Sequence, residues 1–438
     1  MQTLPSSQPA TPREPTLILE PFRAVRYAPA AVRGLAEVTS PPYDVIGPAA
    51  VTRLLATEPH NVVQLIVPQA DAVRPGGSYG DAAATLERWR DQGVLIADAG
   101  PALHVYEQRD AAGTVLQRGL IGAAGLCAPD EKVILPHEDV MPGPVAGRLA
   151  LMEAAQANLE PIFLLYDGTG GAATQLVDEV ATTRPPLVDV VTEDGLRHRL
   201  WTLTRPAELT AVAADLAPRQ ALIADGHHRY AAYRELQARM RAAGAGAGPW
   251  DRGLALLVDS AAYPPRIGAI HRVLPTLRPA EAVALASRAF RVRGVEGGLP
   301  AGLEALDKAA ADGVAFLAGD GTGLHLLTSP DPVQVAAAMP PDRSAHWCGL
   351  AASVLQQLLI GTLWALRDDE RTVRIVHDDP RAAVRIAAET GGSAVICPPI
   401  TARDVYLVAA DGERVPRKST SFGPKPRTGL VMRVFADG

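Results

Sequence analysis

The sequence predicts a mixed α/β fold in two halves, and three observations carry that prediction. The first is an apolar run, Ala221-Leu222-Ile223, leading through Ala224-Asp225-Gly226-His227-His228-Arg229 into a segment ending at Ala242, where Tyr233, Leu236 and Met240 recur at spacings of three and four. That pattern is a buried strand, a tight polar turn and an amphipathic helix. The second is a pair of strands, Ala102–Gln108 and Arg118–Gly125, connected through Asp110-Ala111-Ala112-Gly113, which has hairpin chemistry. The third is size: 438 residues exceed one ordinary core, and Ala243-Gly244-Ala245-Gly246-Ala247-Gly248-Pro249 is the best internal boundary. The expected organisation is a loose tail over 1–15, a first half over 16–242, a linker over 243–250 and a second α/β half over 251–438 that completes the site.

The elements follow in chain order. Order begins at Thr16-Leu17-Ile18-Leu19, and Ser40-Pro41-Pro42-Tyr43-Asp44 enters extended because its prolines fix the backbone. Asp44 is either a cap for a helix near Pro48 or a ligand. The β-branched content of Asn61–Val67 predicts a strand, and Asp81–Gln92 predicts a helix capped by Asp81. Pro142-Gly143-Pro144 reads as a stiff loop before a helix over 147–157, which puts Arg148 in a first turn. A cation is poorly placed there, so an anionic partner or a salt bridge to Glu138 or Glu153 is expected. Ile162–Tyr166 is a strand.

Beyond the glycine run, Gly253–Asp259 and Arg266–Val273 are strands, Pro279–Phe290 and Gly302–Ala311 are helices, and Val314–Leu317 and Leu324–Leu327 are strands. Leu350–Leu366 is the most apolar helix. Val373–His377 is a strand with His377-Asp378 as a cap for the next helix. Thr401–Ala409 is a helix, and Leu430–Phe435 is the last strand.

Charged residues gather at strand ends, where ligands collect in sheet proteins. These are Asp44, the cluster His137-Glu138-Asp139, and Asp225 to Arg229. Gly226 lets the backbone approach a ligand, and the first amides of the following helix can bind an anion. The same residues also suit a solvated helix start, with Asp225 as cap and Arg229 paired to an acid. Zinc held by both adjacent histidines is disfavoured, because they point in different directions and further ligands are missing. The loop Lys418–Gly429, with Lys418, Lys425, Arg427 and several hydroxyls, is either a phosphate cradle or an ordinary basic loop.

Composition narrows the function. Hydrophobic residues at 47% and charged residues at 21% mark a soluble globular chain. A net charge of −6 without a basic stripe argues against nucleic acid. Cys127, Cys348 and Cys397 lack paired spacing and read as reduced thiols of a cytoplasmic protein. No apolar run is long enough to span a bilayer, so no membrane partner is expected. Walker A, GxGxxG, GxSxG and HExxH motifs are absent.

Six phrases in the same order resemble the domain-of-unknown-function family numbered 1015, from about residue 17 to 435. They are Pro21-Phe22-Arg23-Ala24, Pro41-Pro42-Tyr43-Asp44-Val45-Ile46, Leu135-Pro136-His137-Glu138, Asn158-Leu159-Glu160-Pro161-Ile162-Phe163, Ala224-Asp225-Gly226-His227-His228-Arg229-Tyr230, and Lys418-Ser419-Thr420 with Gly429-Leu430-Val431. The chain departs at Ser421 and Gly423, where the family usually places aromatics. Asp225-Gly226-His227-His228-Arg229 is also similar to the phosphate-binding turn of the superfamily of ParB nucleotide hydrolases, sulfiredoxin and free serine kinases.

That second resemblance implies a ParB/sulfiredoxin-like first half, a nucleotide such as ATP or ADP, and magnesium. It implies Gly226, Arg229, Arg148, Lys425 and His137 around phosphate, and His227 or His228 as donor or proton shuttle. Glu138 becomes the base for an acceptor hydroxyl, Asp225 or Asp44 orients a histidine or holds the ion, and Asp44 with Glu138 forms the metal pair. The implied activity is a nucleotide-dependent phosphotransferase acting on a small hydroxylated metabolite such as serine. A phosphatase acting on phosphoserine and a non-catalytic nucleotide-binding regulator stand beside it, and a homodimer is left open.

Overall fold

The computed structural model describes residues 16–367 and 372–437, so the tail expected over 1–15 lies outside the described residues. Two mixed layers of sheet and helix are present, one for each large sheet. The first sheet has nine strands: β1 (Leu19–Glu20), β2 (Leu103–Arg109), β3 (Val115–Gly125), β4 (Ile134–Leu135), β5 (Ile162–Tyr166), β6 (Val188–Val191), β7 (Arg197–Leu203), β8 (Ala221–Asp225) and β9 (Arg252–Asp259). Their order across the sheet is β4-β8-β5-β9-β3-β2-β7-β6, with β1 on β3. Pairs β4–β8 and β5–β9 are parallel and the rest antiparallel.

Alternation in β5 shows why this sheet is buried on both faces. Ile162, Leu164 and Tyr166 join Tyr230, Tyr233 and Leu236 on one side. Phe163 and Leu165 join Val405 and Val408 of the helix Ala402–Ala410, with Leu430 and Val431, on the other. Each such side chain contributes about 1.5–3 kcal/mol on burial. Helices α1 (Tyr79–Asp91), α2 (Pro142–Ala155) and α3 (His227–Ala242) pack in succession, α1 on α2 and α2 on α3.

The second sheet, antiparallel throughout, contains β10 (Ile270–Leu274), β11 (Arg291–Val295), β12 (Ala315–Gly319), β13 (Leu324–Thr328), β14 (Arg374–His377) and β15 (Ser393–Ile396) in the order β11-β13-β12-β15-β10-β14. Leu355, Leu358 and Leu359 cover one face, and Leu306, Ala383 and Ala387 the other.

Several sequence expectations change. The linker at 243–250 does not divide the sheets, because β9, just beyond it, lies between β5 and β3 in the first sheet. Asn61–Val67 is not a strand. Asn61 donates to the carbonyls of Glu37 and Thr39 and accepts from the amide of Val63, which starts a short helix over Val63–Ile66. Ser78, not Asp81, caps α1, and Asp81 closes the capping box from its third position.

Pro142-Gly143-Pro144 opens α2 instead of preceding it. Prolines are tolerated in a first turn, where their missing N–H costs nothing. Arg148 therefore sits deeper in the helix than expected. Asp379, not His377-Asp378, caps the helix Pro380–Thr390, while Asp378 accepts from the amide of Ala269. The apolar stretch after Leu350 is a short α-helix, Ala351–Val354, continuing as π-helix over Leu355–Leu363. Of the expected last strand, Arg433–Val434 pairs with Ala157–Asn158, and Met432 makes a single antiparallel bridge to Val25.

Candidate functional site

The corner begins where β8 ends. Gly226 adopts φ +94°, and a Cβ there would stand 2.9 Å from Ile162 Cγ2, so the turn takes glycine. Helix α3 starts directly after it, and no side chain caps its first amides. Asp225, 8% exposed, pairs through Oδ2 with Arg229, which is 4% exposed. Arg229 also donates to the carbonyl of Pro161 at 2.5 Å. The turn is thus locked from behind by a buried ion pair.

In front of it, the C-terminal loop delivers a cation. Lys425 Nζ lies 2.5 Å from Asp225 Oδ1 and 2.7 Å from Asp44 Oδ2. Burial works against its charge, but the two carboxylates outweigh burial and hold the ammonium above its ordinary range. Asp44 responds in the opposite sense: burial would raise it, and Lys425 and Arg229 bring it below the usual carboxylate value. The loop reaches this position because Thr428 and Ser40 exchange backbone hydrogen bonds of 2.9 and 3.1 Å.

Two further groups flank the cation. Burial raises Glu138 above the usual carboxylate range, Lys418 and Lys425 oppose the shift, and Asp225 and Asp139 add to it. A carboxyl group raised in this way is suited to proton transfer near neutral pH. His228, half-buried, accepts the amide of Met141 at Nε2, 3.1 Å away. The neutral ring therefore carries its proton on Nδ1. Burial lowers its pKa, partly offset by Asp44.

Beneath the corner lies a support that the sequence reading passed over. Glu160, from the Asn-Leu-Glu-Pro phrase, is buried and accepts from the amide of Tyr43 at 3.0 Å. Burial raises its pKa against the opposing charges of Arg229 and Arg148. Arg148 lies 4.1 Å from the Tyr43 ring centroid, donates to the carbonyl of Ile66 at 2.8 Å, and approaches Glu160 at 3.7 Å. A carboxylate beside a proline at a strand entry was the available signal.

The profile of a family described as "Protein of unknown function (DUF1015)" matches residues 19–353. The chain belongs to the DUF1015 family. No curated protein matches it. Among solved structures, a mutant free serine kinase in complex with ADP is 14% identical at a TM-score of 0.34, over 71% of this chain and 91% of that one. A conserved hypothetical protein from Pyrococcus furiosus is 13% identical at 0.32, over 72% and 94%. SbnI with a C-terminal truncation from Staphylococcus aureus is 11% identical at 0.35, over 72% and 87%. TM-scores this low transfer no role to any residue. The DUF1015 match includes Asp44, Glu138, Glu160, Asp225 and His228 but ends before Lys425.

In this DUF1015 protein the expected site residues separate into two sets. Asp44, Asp225, Gly226, His228 and Lys425 meet at one corner, with Glu138 within electrostatic reach. Asp44 caps no helix, since Gly47 precedes the helix Pro48–Thr57 without a side-chain cap. Arg229 and Arg148, expected on phosphate, instead face inward to Asp225, Pro161, Glu160 and Tyr43, because each guanidinium compensates buried acceptors.

His227, expected as donor or shuttle, and His137, expected on phosphate, form a buried edge-to-face pair with centroids 4.5 Å apart. His227 Nε2 accepts the amide of His137 at 3.2 Å, and His137 Nε2 meets Thr420 Oγ1 at 3.0 Å. Burial pushes His137 down to about 3 and His227 well below its ordinary value, so both stay neutral.

The metal pair of Asp44 and Glu138 is also revised. Asp44 shares its cation with Asp225. Glu138 instead groups with His137 and His227, one ligand atom of each lying within 4.8 Å of the others. Both Nε2 atoms of that group are already hydrogen-bonded. Among the described residues no helix is long and apolar enough to cross a membrane.

Proposed function

We propose that this protein transfers a phosphoryl group from a nucleotide to the hydroxyl of a small metabolite such as serine, at the corner of Asp44, Glu138, Asp225, His228 and Lys425. The observation that carries the reading is the Lys425 ammonium held between two carboxylates beside an uncapped helix start. Phosphoryl transfer asks the protein mainly for positioning and charge stabilisation, and this corner supplies both signs of charge together with free amide donors.

Each group has a role that follows from its surroundings. The first amides of α3 receive phosphate oxygens, with Gly226 permitting close approach. Lys425 offsets charge on the transferring group. The neutral His228 donates from Nδ1, and Glu138, raised by burial, accepts the proton of the acceptor hydroxyl. Arg229 acts as a positioning residue that fixes Asp225.

Magnesium fits the residues present, because Asp44 and Asp225 already share one cation and are acid oxygens of the kind this ion prefers. The ion would supply additional positive charge to phosphate oxygens.

The test measures phosphoserine formed from serine with ATP or ADP and magnesium, alongside nucleotide-induced thermal shifts. Wild type should form product, and Lys425→Met should lower both turnover and nucleotide protection at least tenfold. Absence of product together with absence of any nucleotide shift refutes the reading. Loss of phosphate from phosphoserine without nucleotide would reassign the corner to hydrolysis.

A further inference from the structure

A second feature lies outside the corner, where the second sheet faces the C-terminal loop. A cavity of 460 Å³ opens there, lined by Arg272, Lys418, Phe316, Leu350, Leu355 and Asp404, among others. Its volume falls within the range of small-molecule sites, and its wall combines an apolar body with a few polar groups.

The charge on that wall is unbalanced. Arg272 is 5% exposed and donates only to carbonyls, those of Ile270 at 2.9 Å, Lys418 at 2.9 Å and Arg417 at 3.4 Å, with Nε unpartnered. Among the described residues, no carboxylate lies within ion-pair distance of Arg272 or Lys418. Elsewhere the buried guanidinium of Arg118 pairs with Glu107 and Asp178, and that of Arg229 with Asp225.

Arg433 is the instructive comparison. It too is buried without a carboxylate, yet it lies over the Phe435 ring at 5.4 Å, where an aromatic face replaces an anion. Asp404, also on the wall, forms no ion pair with Arg272; its carboxylate turns to the Thr401 hydroxyl at 2.6 Å at its own helix start. The Ser419 hydroxyl, also on the wall, is shielded from solvent and has no partner. Burying a guanidinium without a counter-charge is costly, and an anion in the cavity removes that cost.

We infer that this cavity binds a small organic oxyanion, its charged end at Arg272 and Lys418 and its apolar body against Phe316, Leu350 and Leu355. The cavity adjoins the corner, since Lys418 on its wall also acts on Glu138 and His228, but its occupant is held at Arg272 and the inference stands whether or not the corner transfers phosphate. A branched aliphatic carboxylate matches both parts of the wall. Inorganic phosphate matches only the charged end.

The experiment uses the full chain and isothermal titration with 4-methylpentanoate, its neutral amide and inorganic phosphate. Wild type should bind the carboxylate and not the amide. Lys418→Met, a change at an exposed side chain that should fold normally, should weaken the carboxylate at least tenfold, and Arg272→Met should abolish it. Lys425→Met should leave the affinity unchanged, which keeps this result distinct from the fate of the corner. Phosphate binding more tightly than the carboxylate, with the same losses in the two variants, would overturn the organic occupant and leave only an inorganic anion site at Arg272 and Lys418. Equal binding of acid and amide, no binding of either anion, or affinities unaltered by Lys418→Met and Arg272→Met would overturn the inference.

Discussion

Replacing Arg229 by Met should destabilise the protein by about 3 kcal/mol, the low end of the loss when one partner of a buried ion pair is removed. Arg229 and Asp225 are both buried, and the Pro161 carbonyl loses its donor as well. The loss stays at the low end because Lys425 still contacts Asp225 and Arg148 still approaches Glu160. Urea titration followed by tryptophan fluorescence and circular dichroism measures it. With a slope of about 3 kcal/mol per molar urea, the transition of the first sheet should move by roughly 1 M.

His228→Ala provides the contrast. It removes one hydrogen bond from a half-exposed ring and should cost less than about 1 kcal/mol. Adding Asp225→Asn to Arg229→Met should recover part of the loss, because the stranded carboxylate is then gone. A cost for Arg229→Met no larger than that of His228→Ala would refute the argument that this arginine is structural.

Three further outcomes follow from the same geometry. His271 is held down to about 4 by burial, against 6.5 for a free histidine, so the native state binds fewer protons and stability should fall as pH drops from about 6.5 towards 4; His271→Gln should flatten that decline in urea titrations. Glu138 is raised in the fold, so its contribution is present at low pH and lost as pH rises through its folded value; Glu138→Gln should match wild type near pH 4 and exceed it in stability at pH 8, and equal stability at both pH values would count against a raised, half-buried carboxyl. Gly253→Ala places a Cβ 2.3 Å from Tyr233 Cδ2, and displacing that ring should cost about 1–3 kcal/mol by chemical denaturation; a neutral result would mean the ring shifts freely.

Local patterns made much of the fold readable. The strand, turn and helix around Gly226, the hairpin at Asp110–Gly113 and the strand Ile162–Tyr166 stand where periodicity and turn chemistry put them. What failed depended on distant partners. Asn61 forms a helix start only because residues near 37–39 offer carbonyls, and β-branched content alone favoured a strand. The glycine run looked like a boundary, yet strand pairing across it returns β9 to the first sheet.

The corner divides similarly. The i, i+4 spacing of Asp225 and Arg229 was visible and pointed to an ion pair, so the inward turn of Arg229 could have been foreseen. The sharing of Lys425 between Asp44 and Asp225 could not, because no local rule couples residues so far apart in the chain.

That long-range cation has a temporal side. All nine strands of the first sheet have been synthesised by Asp259, whereas Lys425 emerges only after the entire second sheet. A nascent chain therefore completes the framework that presents Asp44 and Asp225 well before the ammonium that joins them. The same order means that a nick between Asp259 and Lys425 would break the covalent link between the carboxylates and their cation while leaving every strand of the first sheet intact. Noncovalent contacts, among them the packing of Leu430 and Val431 and the Ser40–Thr428 pair, would then hold the ammonium in place.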